Sequence, residues 1–142
     1  MLKKRLYYIL SFTWGLPLTF IGGLFAMVLN VMGYRPQRFV WGWCFEVGRG
    51  WGAVNLGAFS FCERGTHDYI KCHEFGHSIQ NCLWGCLAPF AVLLPSMVRV
   101  CIRDIKAACG LNLPPYDSVW FEGQATRWGL EYYARERVKD EH

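Results

Sequence analysis

The chain has 142 residues, enough for one domain and too few for a second independent core. Hydrophobic residues make up 53% and aromatic residues 17%, while charged residues reach only 18%, below the roughly 25% of soluble domains, which argues for a membrane protein. The formal net charge of +4 comes from Lys and Arg scattered along the chain, so it gives nucleic-acid binding little support and makes anionic lipid headgroups the more natural counterpart.

From Leu6 to Tyr34 the chain carries no charged residue, and this run exceeds the roughly 20 residues a helix needs to cross a bilayer. It reads as an uncleaved transmembrane anchor over 6–34, because a secretory signal would have a shorter apolar core and a small-residue cleavage site. Pro17 and the Gly22-Gly23 pair permit a kink, and Trp14, Tyr7 and Tyr8 suit an interface. Lys3, Lys4 and Arg5 before the run, against Arg35 and Arg38 after it, favour a cytoplasmic N-terminus.

The next stretch, 38–62, is rich in aromatic and β-branched residues and predicts a β-hairpin, Arg38–Val47 with Gly52–Phe61, turning at Gly48–Gly50. Thr66 then predicts an N-cap, with Asp68 favourably placed in the first helical turn. The segment 66–109 reads as a helix bearing "HEFGH" and a further apolar helical segment. Its uncharged part, Gly76 to Val98, is either a second span or a buried, bent helical pair broken near Pro89 and Pro95. Gly110 and "LNLPPYDS" mark a loop, and 118–138 predicts a last helix with a charged end. The terminal "KDEH" lacks the last residue of an endoplasmic-reticulum retrieval signal.

Seven cysteines contain no CxxC pair, and an odd number cannot close completely into internal disulfides. They read mostly as small buried apolar residues. Cys82 with Cys86 shares a helical face, and Cys44 with Cys62 could bridge in an oxidising compartment.

The chemistry concentrates in His73-Glu74-Phe75-Gly76-His77. On a helix, residues four apart lie about 40° apart around the axis, so His73 and His77 project together and can share one zinc ion. Glu74 lies on the neighbouring face, free to act as general base on a water activated by the metal. Gly76 keeps the surface narrow where a substrate or another backbone approaches. A catalytic zinc needs a third protein ligand and an open position. His67 lies roughly 120° from His73 around a regular helix and cannot join them. Asp68, Asp117 and the cysteines are possible. Glu122 is the best candidate, an acid early in an apolar helix with the small residues Ala125 and Thr126 one turn on.

"HEFGH" with the later "EGQAT" resembles the gluzincin metallopeptidases, especially the membrane-embedded group of CAAX prenyl proteases and bacterial heat-shock membrane proteases, whose pattern is HExxH followed by ExxA and Asp or Asn. It is also similar to short bacterial or phage-associated membrane chains with HEFGHxxQN. The resemblance implies Zn2+ held by His73, His77 and Glu122, with Glu74 as catalytic base. It covers only about Thr66–Gln80 and Trp120–Gly129. Thr126 stands where the family has Asp or Asn; its hydroxyl can still orient a ligand, though without charge. Tyr116, Arg127 and His67 are the candidates for stabilising the oxyanion. The run Gly57–Phe61 either holds substrate by strand addition or packs against the metal helix.

The sequence therefore predicts a mainly α integral membrane protein of bacterial cell membranes, with zincin-like helices and a short hairpin. Its expected function is zinc-dependent hydrolysis of peptide or membrane-protein substrates among membrane lipids, without nucleic acid. The alternatives are a non-catalytic adaptor whose zinc clamps its helices and a metal-free structural protein.

Overall fold

In the computed structural model, which describes residues 2–115 and 118–140, the uncharged N-terminal run is broken into two helices. These are α1 (Lys4–Phe12) and α2 (Leu16–Val31), bent 87° from each other. Pro17 sits in the first turn of α2, where its missing N–H is no loss. At the corner, a Cβ on Gly15 would collide with Asn81 of a later helix, whose Nδ2 donates to the Gly15 carbonyl at 3.2 Å. A tertiary contact thus holds the bend.

This overturns the expected 6–34 anchor. The nine residues of α1 and sixteen of α2 each fall short of the roughly 20 needed to cross a bilayer. Together they have the length and composition of a span but not its straightness, and among the described residues no single helix is long and apolar enough to cross a membrane. The assignment as a mainly α membrane protein is corrected accordingly: the chain is mostly helical around a small mixed sheet. Tyr7, Leu18 and Ala26 are buried, whereas Phe20, Phe25, Met27 and Val31 are exposed on α2.

The single expected hairpin is instead two hairpins. Strands β1 (Gln37–Phe39) and β2 (Gly42–Glu46) pair antiparallel, as do β3 (Ala53–Leu56) and β4 (Phe59–Cys62). Parallel pairing of β2 with β4 joins them into a sheet of order β1-β2-β4-β3. Gly57, with φ 70°, permits the tight turn between β3 and β4. The Gly48–Gly50 segment links β2 to β3, which are not neighbours. Side-chain pairing accounts for this register: Trp43 stacks on Phe59 and Phe45 on Phe61, with ring centroids 5.4 and 5.7 Å apart. Cys44 and Cys62 are buried free thiols with sulfurs 3.7 Å apart.

Helix α3 (Asp68–Trp84) runs through the centre of the molecule and is buried almost continuously from Cys72 to Cys82. Its N-cap is His67, whose Nδ1 accepts from the Tyr69 N–H at 3.2 Å. Thr66, the expected cap, instead donates to the Glu63 carbonyl. Beyond Gly85, which has φ 56°, a 3-10 turn (Gly85–Leu87) and a π-helical turn (Pro89–Leu93) lead into α4 (Leu94–Ala108). The two helical arms meet at 120°, so the apolar 76–98 run is bent, but it is not the buried pair expected: Leu83, Leu87, Phe90 and Leu94 are exposed. Helix α4 buries none of its own residues.

Helix α5 (Trp120–Asp140) crosses α3 at very close range. A Cβ on Gly76 would strike the Ala125 backbone, and one on Gly129 would strike that of Cys72. Below the crossing, Tyr7, Trp41, Phe75, Ile79 and Tyr132 form an aromatic core, each large apolar side chain contributing about 1.5–3 kcal/mol by burial. This core sets α5 against α3 with the glycines in register.

Candidate metal centre

Helical spacing places His73 and His77 one turn apart on the α5 side of α3, and the glycine crossing brings Glu122 against them. The His73 and His77 Nε2 atoms are 3.1 Å apart. Glu122 Oε2 lies 3.0 Å from the first and 3.3 Å from the second. All three residues belong to one group that can hold a metal ion. Ligands set tetrahedrally about a zinc ion at about 2.0–2.1 Å stand roughly 3.3 Å from one another, so the triangle needs only slight expansion to accept one.

Hydrogen bonding on the far side of each ring orients these atoms. Gln80 Nε2 donates to the Phe121 carbonyl at 2.7 Å, which turns its Oε1 towards His77 Nδ1, 2.8 Å away. That oxygen can only accept, so neutral His77 carries its proton on Nδ1 and leaves the Nε2 lone pair facing the centre. Thr126 Oγ1 lies 2.8 Å from His73 Nδ1, the orienting position that the sequence assigns to its hydroxyl. Ser96 donates to Glu122 Oε1 at 2.6 Å. The other carboxylate oxygen, Oε2, is buried with no hydrogen-bond donor of its own. Lone pairs converging on one point, with a fully buried carboxylate among them, form a site for a cation.

The electrostatics follow from burial and this convergence. Burial pushes the Glu122 carboxyl up, but the His73 and His77 rings, wherever they carry a proton on Nε2, and the Ser96 hydroxyl outweigh it and hold the group below the ordinary carboxylate range. For His77, burial disfavours the charge, yet its hydrogen bond to Glu122 and the nearby Glu74 raise the pKa above the ordinary imidazole value. Burial raises Glu74, and the Glu122 charge adds to that, against the opposing pull of the two histidines. Glu74 is only 6% exposed. With His77 it lines a cavity of about 370 Å³ bounded by α2, β3, the π-helical turn and α4.

The other candidates fall elsewhere. His67 is engaged as an exposed helix cap, Arg127 is exposed on α5, and neither lines the cavity. Asp68 accepts from the Tyr133 hydroxyl at 2.8 Å, outside the metal group. Tyr116 and Asp117 lie outside the described residues. Cys82 is buried against Ser11 while Cys86 is exposed, so the pair does not converge. The run Gly57–Phe61 supplies β4, hydrogen-bonded to strands on both sides, and cannot accept a further strand; β3 is the edge beside the cavity. Sequence reasoning missed Gln80 and Ser96. Gln80 was within reach of helical spacing, three residues after His77, whereas nothing local points from Ser96 to Glu122.

Comparison of the chain with protein-family models, with curated proteins and with solved structures finds no match.

Proposed function

We propose that the protein is a zinc-dependent peptidase, with His73, His77 and Glu122 as metal ligands and Glu74 as general base. The observation that carries this reading is the triangle of converging ligand atoms with a second buried carboxylate, Glu74, on the wall of the adjoining cavity. It also agrees with the resemblance of "HEFGH" and "EGQAT" to the gluzincin pattern. Zinc, when bound, supplies a Lewis acid that polarises a carbonyl and lowers the pKa of a water to about 7.

The chain's own groups do the rest. Gln80 and Thr126 keep the two imidazoles aimed at the centre, and Ser96 holds one oxygen of Glu122 so that the other is presented. Glu74, its pKa raised by burial, accepts the proton lost by the attacking water. It then returns that proton to the leaving amine as the C–N bond breaks. The crowded α3–α5 crossing admits no substrate, which leaves the cavity side as the approach.

Replacing Glu74 with Gln tests the assignment. Zinc content should stay at that of the wild type while cleavage of a peptide library, read by mass spectrometry, falls by at least a hundredfold. Equal cleavage in the variant would remove Glu74 from the chemistry. A second reading, a metal clamp without catalysis, is favoured by the complete burial of Glu122 between two helices. It predicts zinc-dependent folding with no cleavage by the wild type.

A further inference from the structure

Helix α4 lies beside the metal centre without being packed into the molecule. It buries none of its own residues, and Leu94, Met97, Val98, Ile102 and Ile105 are all exposed. Just before it Ala88 and Val92 are buried, so firm attachment ends at the π-helical turn. There the Leu94 N–H donates to the Pro89 carbonyl, five residues back, and Pro95, in the first turn of α4, has no N–H to give the Ala91 carbonyl. A π turn running into a proline is a weak point in the helical ladder, where a chain can pivot. Further along, Arg99 donates to the Pro115 carbonyl and to Ser118 Oγ, both at 3.0 Å, and Arg103 donates to the Pro114 carbonyl. These bonds tie that half of α4 to the approach to α5.

Two things connect α4 to the centre. Ser96 donates to Glu122 Oε1 at 2.6 Å, and Met97, Val100 and Cys101 form one wall of the cavity that Glu74 and His77 line. The α2, β3 and π-turn walls are each anchored by a buried residue, Leu18, Asn55 and Val92; the α4 wall is not. Elements with few buried apolar contacts open locally at small cost in free energy. With α4 in place the cavity measures about 370 Å³, at the low end of the roughly 300–1,000 Å³ of ligand pockets. An extended peptide advances about 3.3 Å per residue, so a chain continuing on both sides of the bond at the centre needs a longer trough than this.

We infer that α4 is a hinged flap: it pivots about Pro89–Pro95 to admit a peptide, and the Ser96–Glu122 hydrogen bond latches it shut. Closed, the flap gives Glu122 Oε1 its donor and keeps water from the cavity. Open, it uncovers Glu74 and His77 from the side. Ser96 is thus a positioning residue that acts through Glu122. The pivot itself follows from packing, while its use in gating a reaction rests on the reading of His73, His77 and Glu122 as metal ligands.

The test is hydrogen–deuterium exchange of zinc-supplemented protein, read segment by segment by mass spectrometry, in the wild type, Ser96→Ala and Ser96→Thr. In the wild type the amides of α4, 94–108, should exchange at least tenfold faster than those of the buried run 72–82 of α3. A hydrogen bond to a charged acceptor changes an equilibrium by about ten- to a hundredfold. Ser96→Ala should therefore speed exchange in α4 at least tenfold and leave 72–82 unchanged, while Ser96→Thr, which keeps the hydroxyl, stays within threefold of the wild type. Wild-type α4 amides as slow as 72–82 would overturn the flap, and this comparison decides even where Ser96→Ala does not fold. An Ala variant that exchanges like the wild type, one in which 72–82 speeds up as much as α4, or a Thr variant as fast as the Ala variant would overturn the latch. Zinc content measured on the same samples keeps the two readings apart: no zinc in any of them would overturn the metal site and the gating, whereas the pivot stands or falls on exchange alone.

Discussion

Replacing Glu122 with Gln keeps the shape of the buried side chain and removes only its charge and its strength as a ligand. Without metal the wild-type carboxylate is a burden: it is fully buried, and its Oε2 faces two imidazole nitrogens that carry no proton when both rings are neutral and protonated on Nδ1. An unsatisfied buried polar group costs about 1–3 kcal/mol, more if charged. The metal-free variant should therefore be as stable as the metal-free wild type or more stable at pH 8, where His77 is least able to hold a compensating proton. With metal the order reverses. Free zinc at about 100 times its dissociation constant stabilises the wild type by about 2.7 kcal/mol, and in a domain of this size that raises Tm by on the order of 10 °C. The variant, left with two histidines, should gain only a small part of this. Differential scanning calorimetry with chelator and with buffered zinc, alongside zinc analysis by mass spectrometry, measures both arms. A variant that binds one zinc per chain with the wild-type rise in Tm would refute the assignment of Glu122 as a ligand.

Further expectations test the parts around the ligands. Gly76→Ala and Gly129→Ala each force a side chain into the opposing helix backbone; denaturant unfolding should show a loss of about 1–3 kcal/mol, and zinc affinity should fall in parallel because Glu122 is carried away from the histidines. Thr126→Val removes the hydroxyl at His73 Nδ1 and should weaken zinc binding by about 10–100-fold, with Thr126→Ser restoring it; unchanged affinity in a competition titration would show that this hydroxyl does not orient the ring. If His77 is a ligand, metal and proton should compete for it. Its folded pKa is raised, so its stabilising contribution to the metal-free protein is complete below the unfolded value of about 6.5 and is lost as pH rises through the folded pKa. Zinc binding needs the unprotonated ring and should strengthen over that same rise, so chemical unfolding with and without zinc should give opposite contributions from this group, and parallel curves would argue against His77 as a ligand.

Much of the centre could be read from local spacing. His73 and His77 share a helix face whatever surrounds them, because the turn of an α-helix is a covalent and hydrogen-bonded constant. The value of Gly76 beside His77, and of Ala125 and Thr126 after Glu122, was legible for a related reason: small residues in a helix surface signal close approach. The structure shows that what approaches Gly76 is the α5 backbone. Composition misled at the N-terminus. A charge-free run of span length reports how apolar a segment is, but not whether another helix will dock at its middle, as Asn81 does at Gly15.

The sheet and the cavity belonged to tertiary structure alone. Alternating aromatic residues predict extended chain, but both hairpin members can satisfy their backbone groups with several partners. Only the stacking of Trp43 on Phe59 and Phe45 on Phe61 selects the parallel β2–β4 contact that puts β3, rather than Gly57–Phe61, at the edge. Likewise Ser96 reaches Glu122 because the chain turns through 120° after α3, and the pocket exists because that same turn lays α4 opposite β3. Sequence by itself determined that His73 and His77 share one helix face, since helical geometry is local. What they face, and what can reach them, was decided by contacts between segments far apart in the chain, whose free energy depends on shape and burial that no local spacing encodes.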